Sequence, residues 1–354
     1  MLNFLLVFFS LIFLTILHEF SHFLAAKKSG VFVEEFGIGY PPRIFEKKIG
    51  NTLYSINLLP FGAFVKLGGE IGEGIFSKLP LFKRFIIVLA GVISFWVIAC
   101  LIFIFLFKFG IPVSISDEEF SNTAKVQIIE IAKNSPAQIT GLKPGDVIRE
   151  FKFQNERYKI EKVNDLQELI QKHKGERVIL KIERGKEIFD VEIIPRVNPP
   201  EGEGPIGIGL SRIDIKKYPL LKSILEGMKM TGILTLAIIE GYLLAIKNAF
   251  LGISPQFELT GPVGIFNIMY QSSKLGIIYF FHLLAIISVH LAIFNILPIP
   301  ALDGGKLLFL TIEGIRKKAI SPETEKKITA FFFGILVILA ILVTIRDISK
   351  ILSQ

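Results

Sequence analysis

The sequence contains a single cysteine, Cys100, and only five histidines in 354 residues. One cysteine excludes an intrachain disulfide framework and a zinc site built from thiolates, so any metal must be held by His, Asp or Glu. Charged residues make up 20% of the chain and the mean hydropathy is +0.56, which is too apolar for an ordinary soluble enzyme. The net charge of +8 does not indicate nucleic acid, because many of the basic residues flank apolar segments, where membrane topology explains them.

Four apolar runs are long enough to cross about 30 Å of hydrocarbon, which predicts a multi-span α-helical membrane protein. The first run lacks the basic start of a signal peptide, so we interpret it as an uncleaved anchor with its N-terminus outside. Lys and Arg concentrate between the first and second runs and between the third and fourth, so both connections are predicted to be cytoplasmic. The predicted transmembrane helices are 2–26, 85–107, 276–297 and 328–345.

Residues 219–251 are apolar in patches, interrupted by charged residues such as Glu226, Lys229 and Glu240. A crossing here would place the basic loop after the third span outside, against the positive-inside rule. The interpretation is therefore that this segment forms amphipathic helices lying on or near the outer interface.

A soluble composition between the second span and residue 214 predicts one inserted extracytoplasmic α/β domain. Turn signals precede an alternating strand at Val147–Phe153, a short amphipathic helix spans 164–172, and two further alternating runs flank Gly185. The Ser-Pro-Ala, Gly-Leu and Gly-Asp spacing in "NSPAQITGLKPGDV" resembles a PDZ domain. The chain is therefore predicted to contain three domains: an N-terminal membrane domain (1–110), a PDZ-like domain (115–214) and a C-terminal membrane domain (215–354).

The stretch "HEFSH" places ionisable groups inside the first apolar run. His18 and His22 are four residues apart, so a helix puts both imidazoles on one face, and Glu19 lies within reach of the same point. This His-Glu-x-x-His arrangement is typical of zinc hydrolases. The alternative is a pair of intramembrane histidines hydrogen-bonded to neighbouring helices, but polar groups in lipid are rare and tend to be functional.

A catalytic zinc needs a third protein ligand and an open position. His282 and His290 are candidates, but along a helix they lie about 12 Å apart and are better explained as packing groups. "NILPIPALDGGK" is the better source, because its prolines and glycines break the helix, and broken backbone at membrane depth lines protein interiors or wet cavities. Its carboxylate is Asp303. The alternative for Asp303 is a cap of the helix that begins near Lys306.

Residues 33–70 include an alternating stretch, 51–67, which is broken at Pro60 and Gly62. This pattern predicts a β-hairpin that enters the membrane from the cytoplasmic side and returns, with an edge able to pair with an extended substrate. A hairpin resting on lipid headgroups is the alternative interpretation.

The two polar motifs together resemble those of the site-2 family of intramembrane zinc metalloproteases, including its bacterial sigma-E-regulating members. "HEFSH" matches the first family motif and "NILPIPALDGG" matches the second, and "FGIG", "PFGAFVK" and "LTGPVGIF" extend the likeness over nearly the whole chain. The resemblance implies one Zn²⁺ held by His18, His22 and Asp303, with Glu19 as the catalytic base. It also implies that Asn295 contacts the substrate backbone and that Phe64 faces the substrate.

The resemblance further implies an activity and a location. The expected function is endoproteolysis of single-span membrane proteins, such as anti-sigma factors, or of signal-peptide remnants. The expected location is a bacterial cytoplasmic (inner) membrane, with the PDZ-like domain outside and the zinc near the cytoplasmic side. Relatives carry two tandem PDZ domains where this chain shows one, so the role of that domain stays open between ligand binding and blocking folded substrates. The competing interpretation is a non-catalytic membrane scaffold with structural zinc, and a zinc transporter is a weaker third.

Overall fold

A computed structural model describes residues 2–69, 75–252 and 260–352 of the chain. The chain divides into two compact units, which we call the helical unit and the sheet unit. The helical unit comprises Met1–Phe105, Ile224–Ser273 and Phe281–Gln354, and the sheet unit comprises Leu106–Ser223 and Lys274–Phe280.

The helices and strands follow one another along the chain in the order in which they are numbered. The helices are α1 (Leu2–Lys28), α2 (Ile75–Lys78), α3 (Leu81–Phe109), α4 (Pro136–Ile139), α5 (Val163–Lys172), α6 (Leu220–Phe250), α7 (Pro262–Leu275), α8 (Ile277–Ile296), α9 (Asp303–Arg316) and α10 (Pro322–Leu352). The strands are β1 (Val33–Ile49), β2 (Thr52–Leu67), β3 (Ile111–Ile115), β4 (Lys125–Ile131), β5 (Val147–Phe153), β6 (Glu156–Lys159), β7 (Val178–Arg184), β8 (Glu187–Ile193) and β9 (Ile208–Lys216).

Within the described ranges, five helices are long and apolar enough to cross a membrane: α1, α3, α6, α8 and α10. Four of them coincide with the four predicted spans: α1, α3 and α10 extend beyond the predicted bounds, and α8 is one residue shorter at each end. The chain is therefore a multi-span membrane protein, while the exact number of crossings stays a prediction.

The segment 219–251 corrects one expectation, because it forms the single 31-residue helix α6 rather than several amphipathic helices. Its charged residues are good helix formers, and they interrupt the apolar pattern without ending the helix. Helix α6 is also long enough to cross, so an interfacial placement no longer follows from its length and composition.

Strands β1 and β2 form an antiparallel pair with an unusual register. Residues 35–38 of β1 pair with residues 53–56 of β2 on one side and with residues 63–66 on the other, and residues 43–49 pair with 52–57. Both strands turn back on themselves, and Gly39 and Gly62 take positive φ values of 76° and 91° where they do so. Residues 63–67 consequently lie at one side of this sheet. The predicted hairpin therefore forms over 33–67. Residue 70, the last of the predicted range, lies outside the described residues. The placement of the hairpin in the membrane stays a prediction.

The sheet unit contains a seven-stranded sheet with the order β3-β9-β4-β5-β7-β8, and β6 pairs with β5. Alternating residues of these strands point inward, so that Ile128, Phe151, Leu180 and Ile182 are fully buried against α5. Each such side chain contributes about 1.5–3 kcal/mol to stability. Strands β5, β7 and β8 lie where the alternating runs predict them, which confirms an inserted β-sheet unit; its PDZ likeness stays a prediction.

Candidate metal centre

Helix α1 supplies two of the candidate ligands and the candidate base. His18 and His22 lie on one face of this helix, both are buried, and their ring centroids are 4.8 Å apart. The helix forms because residues 2–26 are predominantly apolar and contain neither Gly nor Pro. Spacing along one regular helix is thus enough to bring the two imidazoles together.

Asp303 is the first residue of α9 and follows the tight connection after α8. Leu302 N–H donates to the Ile299 carbonyl at 2.8 Å, and Gly305 N–H donates to the Leu302 carbonyl at 3.0 Å. A side chain at Gly304 would collide with the carbonyl oxygens of Ile296 and Leu297, so this turn depends on glycine. The motif therefore folds the chain back sharply and presents the Asp303 carboxylate toward α1.

The three side chains meet at one point. Asp303 Oδ2 lies 3.2 Å from His18 Nε2 and 3.3 Å from His22 Nε2, and a ligand atom from each residue lies within 4.8 Å of the others. Among the described residues, this is the group of three His, Cys, Asp or Glu side chains arranged to hold a metal ion. The geometric arrangement predicted from the two motifs is present.

The protonation of these groups explains why a cation fits there. His22 Nδ1 lies 2.8 Å from the Ile87 carbonyl, which can only accept, so Nδ1 carries the proton and the Nε2 lone pair faces Asp303. Asp303 Oδ2 is buried and has no hydrogen-bond partner in the described part of the chain. Lone pairs crowded at this distance repel unless a cation lies among them, and two imidazoles with a carboxylate are a donor set that Zn²⁺ accepts.

Glu19 lies beside this cluster on a cavity of about 160 Å³. Its Oε2 accepts a hydrogen bond of 3.0 Å from the backbone N–H of Val65 in β2. Glu19, His22 and Asp303 line the cavity together with Phe64 and Lys306. A carboxylate, two metal-ligand candidates and an aromatic side chain thus share one small polar space.

The other predicted residues divide between the cavity and its surroundings. Phe64 lies on the cavity, and its ring stacks on Tyr40 at 5.9 Å between centroids. Asn295 does not line this cavity, and its Nδ2 donates to the Leu291 carbonyl of its own helix at 2.9 Å. His282 packs on Phe103, and His290 Nδ1 donates to the Ile286 carbonyl, so neither joins the three-residue group.

The sequence did not predict the residues that contact and position the histidines and Glu19. The Ile87 carbonyl, Gly91 and Phe95 of α3 and the backbone of Val65 all contact the histidines or Glu19. Backbone groups leave no trace in a motif search. Gly91, a lone glycine in an apolar helix, was the one available signal of a close approach.

Comparison with known proteins decides the family. The profile described as Peptidase family M50 matches residues 6–339. The chain belongs to peptidase family M50. A Clostridium perfringens relative is 33% identical over 341 residues, covering 95% of each chain. "Zinc metalloprotease RasP" of Shouchella clausii is 28% identical, covering 100% of this chain and 99% of its own, and "Regulator of sigma-W protease RasP" of Bacillus subtilis is 26% identical, covering 98% and 97%.

Membership of family M50, the site-2 protease family, confirms the resemblance drawn from the two motifs. It makes the chain a zinc metalloprotease of the membrane, with Zn²⁺ as its cofactor.

Proposed function

We propose that this M50 protein is an intramembrane endopeptidase in which His18, His22 and Asp303 hold one zinc ion and Glu19 is the catalytic base. The observation that carries the proposal is the meeting of the Asp303 carboxylate with the two imidazoles of α1, beside Glu19 of the same, predominantly apolar helix. Ionisable groups are retained at such a place for function rather than for stability.

The proposed reaction is hydrolysis of a peptide bond. Zinc, when bound, supplies Lewis-acid chemistry to the scissile carbonyl and the attacking water. Glu19 takes one proton from that water as its oxygen bonds to the carbonyl carbon, and it returns the proton to the nitrogen as the C–N bond breaks. The Val65 N–H fixes Oε2, which leaves Oε1 of the same carboxylate for the proton.

The substrate is proposed to bind as an extended strand beside residues 63–67. These residues pair with β1 on one side only, and Val65 turns its N–H toward Glu19 instead of toward β1. Strand addition at such an edge supplies main-chain hydrogen bonds and opens the substrate helix for hydrolysis. Phe64 would then contact a substrate side chain. A substrate contact by Asn295 stays a prediction: its Nδ2 donates one hydrogen bond to the Leu291 carbonyl, and an amide has a second N–H and a carbonyl oxygen besides.

The proposed substrates are single-span membrane proteins, of the anti-sigma type, and signal-peptide remnants. This proposal is supported by the membrane helices around the site and by one relative that carries the name of a sigma-W regulator. A bacterial inner-membrane location, with the N-terminus and the sheet unit outside, is proposed from the distribution of Lys and Arg between the spans. Exposed apolar side chains of the hairpin, such as Ile44, Phe45 and Phe61, suit contact with lipid.

The sheet unit contains a groove of about 520 Å³ along α5 and the start of β9. Ile170, Ile206, Ile208 and Leu210 line this groove together with Gly204 and Pro205. A peptide or protein ligand of the PDZ-like domain, if it binds there, would act in substrate choice rather than in the reaction.

Glu19→Gln tests the proposal against a scaffold with structural zinc. A base is needed for hydrolysis but not for holding an ion, so the variant is expected to keep its zinc and lose cleavage by about 10²- to 10⁴-fold. The readout is zinc content together with the membrane peptides that accumulate in cells carrying the variant. Glu323→Gln, at an exposed ion pair with Lys327 of α10, is the matched control and retains cleavage. Unchanged peptides in the Glu19→Gln cells would favour the scaffold.

A further inference from the structure

One face of α3 lies directly against both candidate ligand histidines. Ile87, Gly91 and Phe95 are spaced four residues apart and therefore share a face of the helix. Ile87 and Phe95 are 0% and 2% exposed. We call these three residues the α3 platform, and each of them makes a different kind of contact with the imidazoles.

Two platform residues fix His22. The Ile87 carbonyl accepts a hydrogen bond from Nδ1, which sets the tautomer. Gly91 allows the ring to approach the helix backbone, because a Cβ at this position would collide with Nε2, Cε1 and Cδ2 of His22. The atom that such a Cβ would meet most closely is Nε2, which is the proposed ligand atom. The orientation of the His22 ring therefore requires glycine at position 91, in addition to anything that the helix itself requires.

Phe95 acts on the second histidine by stacking. Its ring lies 4.6 Å from the His18 ring, with 17° between their planes. His18 Nδ1 is buried and has no hydrogen-bond partner in the described part of the chain, so no polar contact on that side fixes the rotation of the ring. Together with the edge contact to the His22 ring, stacking on Phe95 thus orients His18 with Nε2 toward Asp303.

Hydrogen bonds also connect helix α3 to α8 and α9, the helices on either side of the Asp303 turn. Arg84 makes two hydrogen bonds to Glu313 of α9, at 2.9 and 2.5 Å. Ser288 of α8 donates to the Phe95 carbonyl at 2.8 Å. The helix that orients the two imidazoles therefore holds the helices on either side of the Asp303 turn in register with them.

We propose that Gly91 and Phe95 are positioning residues of the metal centre, which aim His22 Nε2 and His18 Nε2 at the same oxygen of Asp303. This inference rests on the proposed function, because it assumes that these three side chains hold the zinc. Neither residue touches the ion or the substrate, and both act through the imidazoles. Loss of such an outer contact typically costs 10- to 100-fold in metal affinity.

The test measures metal binding by the purified full-length protein in detergent, first with Zn²⁺ and then with Co²⁺ in its place. Gly91→Ala adds one methyl group at His22 Nε2 and is expected to weaken Zn²⁺ affinity about 10- to 100-fold and to change the visible spectrum of bound Co²⁺. Phe95→Leu keeps an apolar side chain but removes the stacked ring, and is expected to weaken affinity about 2- to 10-fold.

Two glycine variants separate this effect from general damage. A Cβ at Gly227 of α6 would meet Ile104 of α3 at 2.6 Å, so Gly227→Ala disturbs α3 packing away from the site. A Cβ at Gly334 of α10 meets nothing within 4 Å, so Gly334→Ala controls for helix propensity. Both controls are expected to keep the wild-type Zn²⁺ affinity and Co²⁺ spectrum.

The outcomes distinguish the two proposals. Wild-type affinity and spectrum in both Gly91→Ala and Phe95→Leu would overturn the inference while leaving the proposed function intact. A loss in Gly227→Ala equal to that in Gly91→Ala would also overturn it, since packing alone would then explain the effect. A wild-type protein that binds no Zn²⁺ at His18 and His22 would defeat the proposed function itself. If Gly91→Ala does not fold, the Zn²⁺ affinity and Co²⁺ spectrum of Phe95→Leu decide between these outcomes.

Discussion

The backbone N–H of Val65 donates a hydrogen bond of 3.0 Å to Oε2 of Glu19. This contact joins the edge of the β1–β2 sheet to the helix that carries both histidines. The strand proposed to receive the substrate therefore also holds the base that acts on it. Movement of that edge would move the base as well, so substrate binding and the placement of Glu19 are expected to be coupled.

Replacing Val65 by proline tests this coupling. Proline removes the N–H that binds Glu19, and it fits an edge position whose N–H does not bond to β1. Hydrogen bonds to charged groups contribute about 1.5–3 kcal/mol, so cleavage is expected to fall about 10- to 100-fold with zinc content unchanged. Val65→Ala keeps the N–H and is expected to cleave at nearly the wild-type rate. Equal losses in the two variants would assign the effect to the side chain instead.

Phe64 is expected to act in substrate binding rather than in the chemical step. Its ring lies on the cavity beside Glu19 and stacks on Tyr40. Phe64→Ala should raise KM for a transmembrane peptide about 2- to 10-fold and change kcat less, because the lost contact is made before and during the reaction alike. Phe61→Ala, at a side chain that is 66% exposed, is the control and should leave both constants unchanged. A fall in kcat alone would contradict this role.

The Arg84–Glu313 pair is expected to stabilise the helical unit strongly. Both side chains are largely buried, and the guanidinium binds the carboxylate through two hydrogen bonds. Arg84→Met leaves a buried carboxylate without its cation, which typically costs about 3–5 kcal/mol. The double variant Arg84→Met/Glu313→Leu removes both charges and should recover much of the loss in thermal stability. Failure of the second change to recover stability would show that Arg84 acts through other contacts.

Acid is expected to loosen the sheet unit at Glu183. Burial raises the pKa of this carboxyl, but hydrogen bonds from Lys125 and Arg149 outweigh burial and hold the pKa below its ordinary value of 4.5. A pKa lowered by folding stabilises the fold above the unfolded value, and this contribution disappears as pH falls through the folded value. The protection of β5 and β7 amides against hydrogen exchange, relative to the intrinsic exchange rate at each pH, should therefore fall below about pH 4.5 in the full-length protein.

Glu183→Gln should flatten this pH dependence, because glutamine carries no titrating proton. Glu192→Gln is the matched control, since Glu192 pairs with Arg177 across an exposed contact of 3.3 Å. Exposed pairs contribute little, so the control should keep the wild-type profile. An unchanged profile in Glu183→Gln would place the acid sensitivity elsewhere.

Much of the architecture follows from short-range patterns. Apolar length predicts α1, α3, α8 and α10, and strict alternation predicts β5, β7 and β8, because each pattern reflects one local solution to burying apolar side chains. The pairing of His18 with His22 needs only the period of a helix. The position of Asp303 beside these histidines depends on the turn formed by Pro and Gly residues, which the motif "NILPIPALDGGK" also indicates.

Other features depend on contacts that no local pattern records. The double pairing of residues 35–38 arises because β1 and β2 each fold back, which alternation alone cannot show. The charges along α6 suggest interruptions, yet one continuous helix forms because those residues favour helices. The α3 platform contacts the site through a carbonyl, a missing side chain and a ring face, and of these only the missing side chain, at Gly91, leaves a signal in the sequence.

The most direct test of the account is X-ray absorption at the zinc edge of the purified full-length protein, with Asp303→Ala alongside. We expect one zinc per chain, bound by two imidazole nitrogens and carboxylate oxygen, and loss of most of that zinc in Asp303→Ala. Zinc retained in full by Asp303→Ala, or a spectrum without histidine scattering, would contradict the proposed centre.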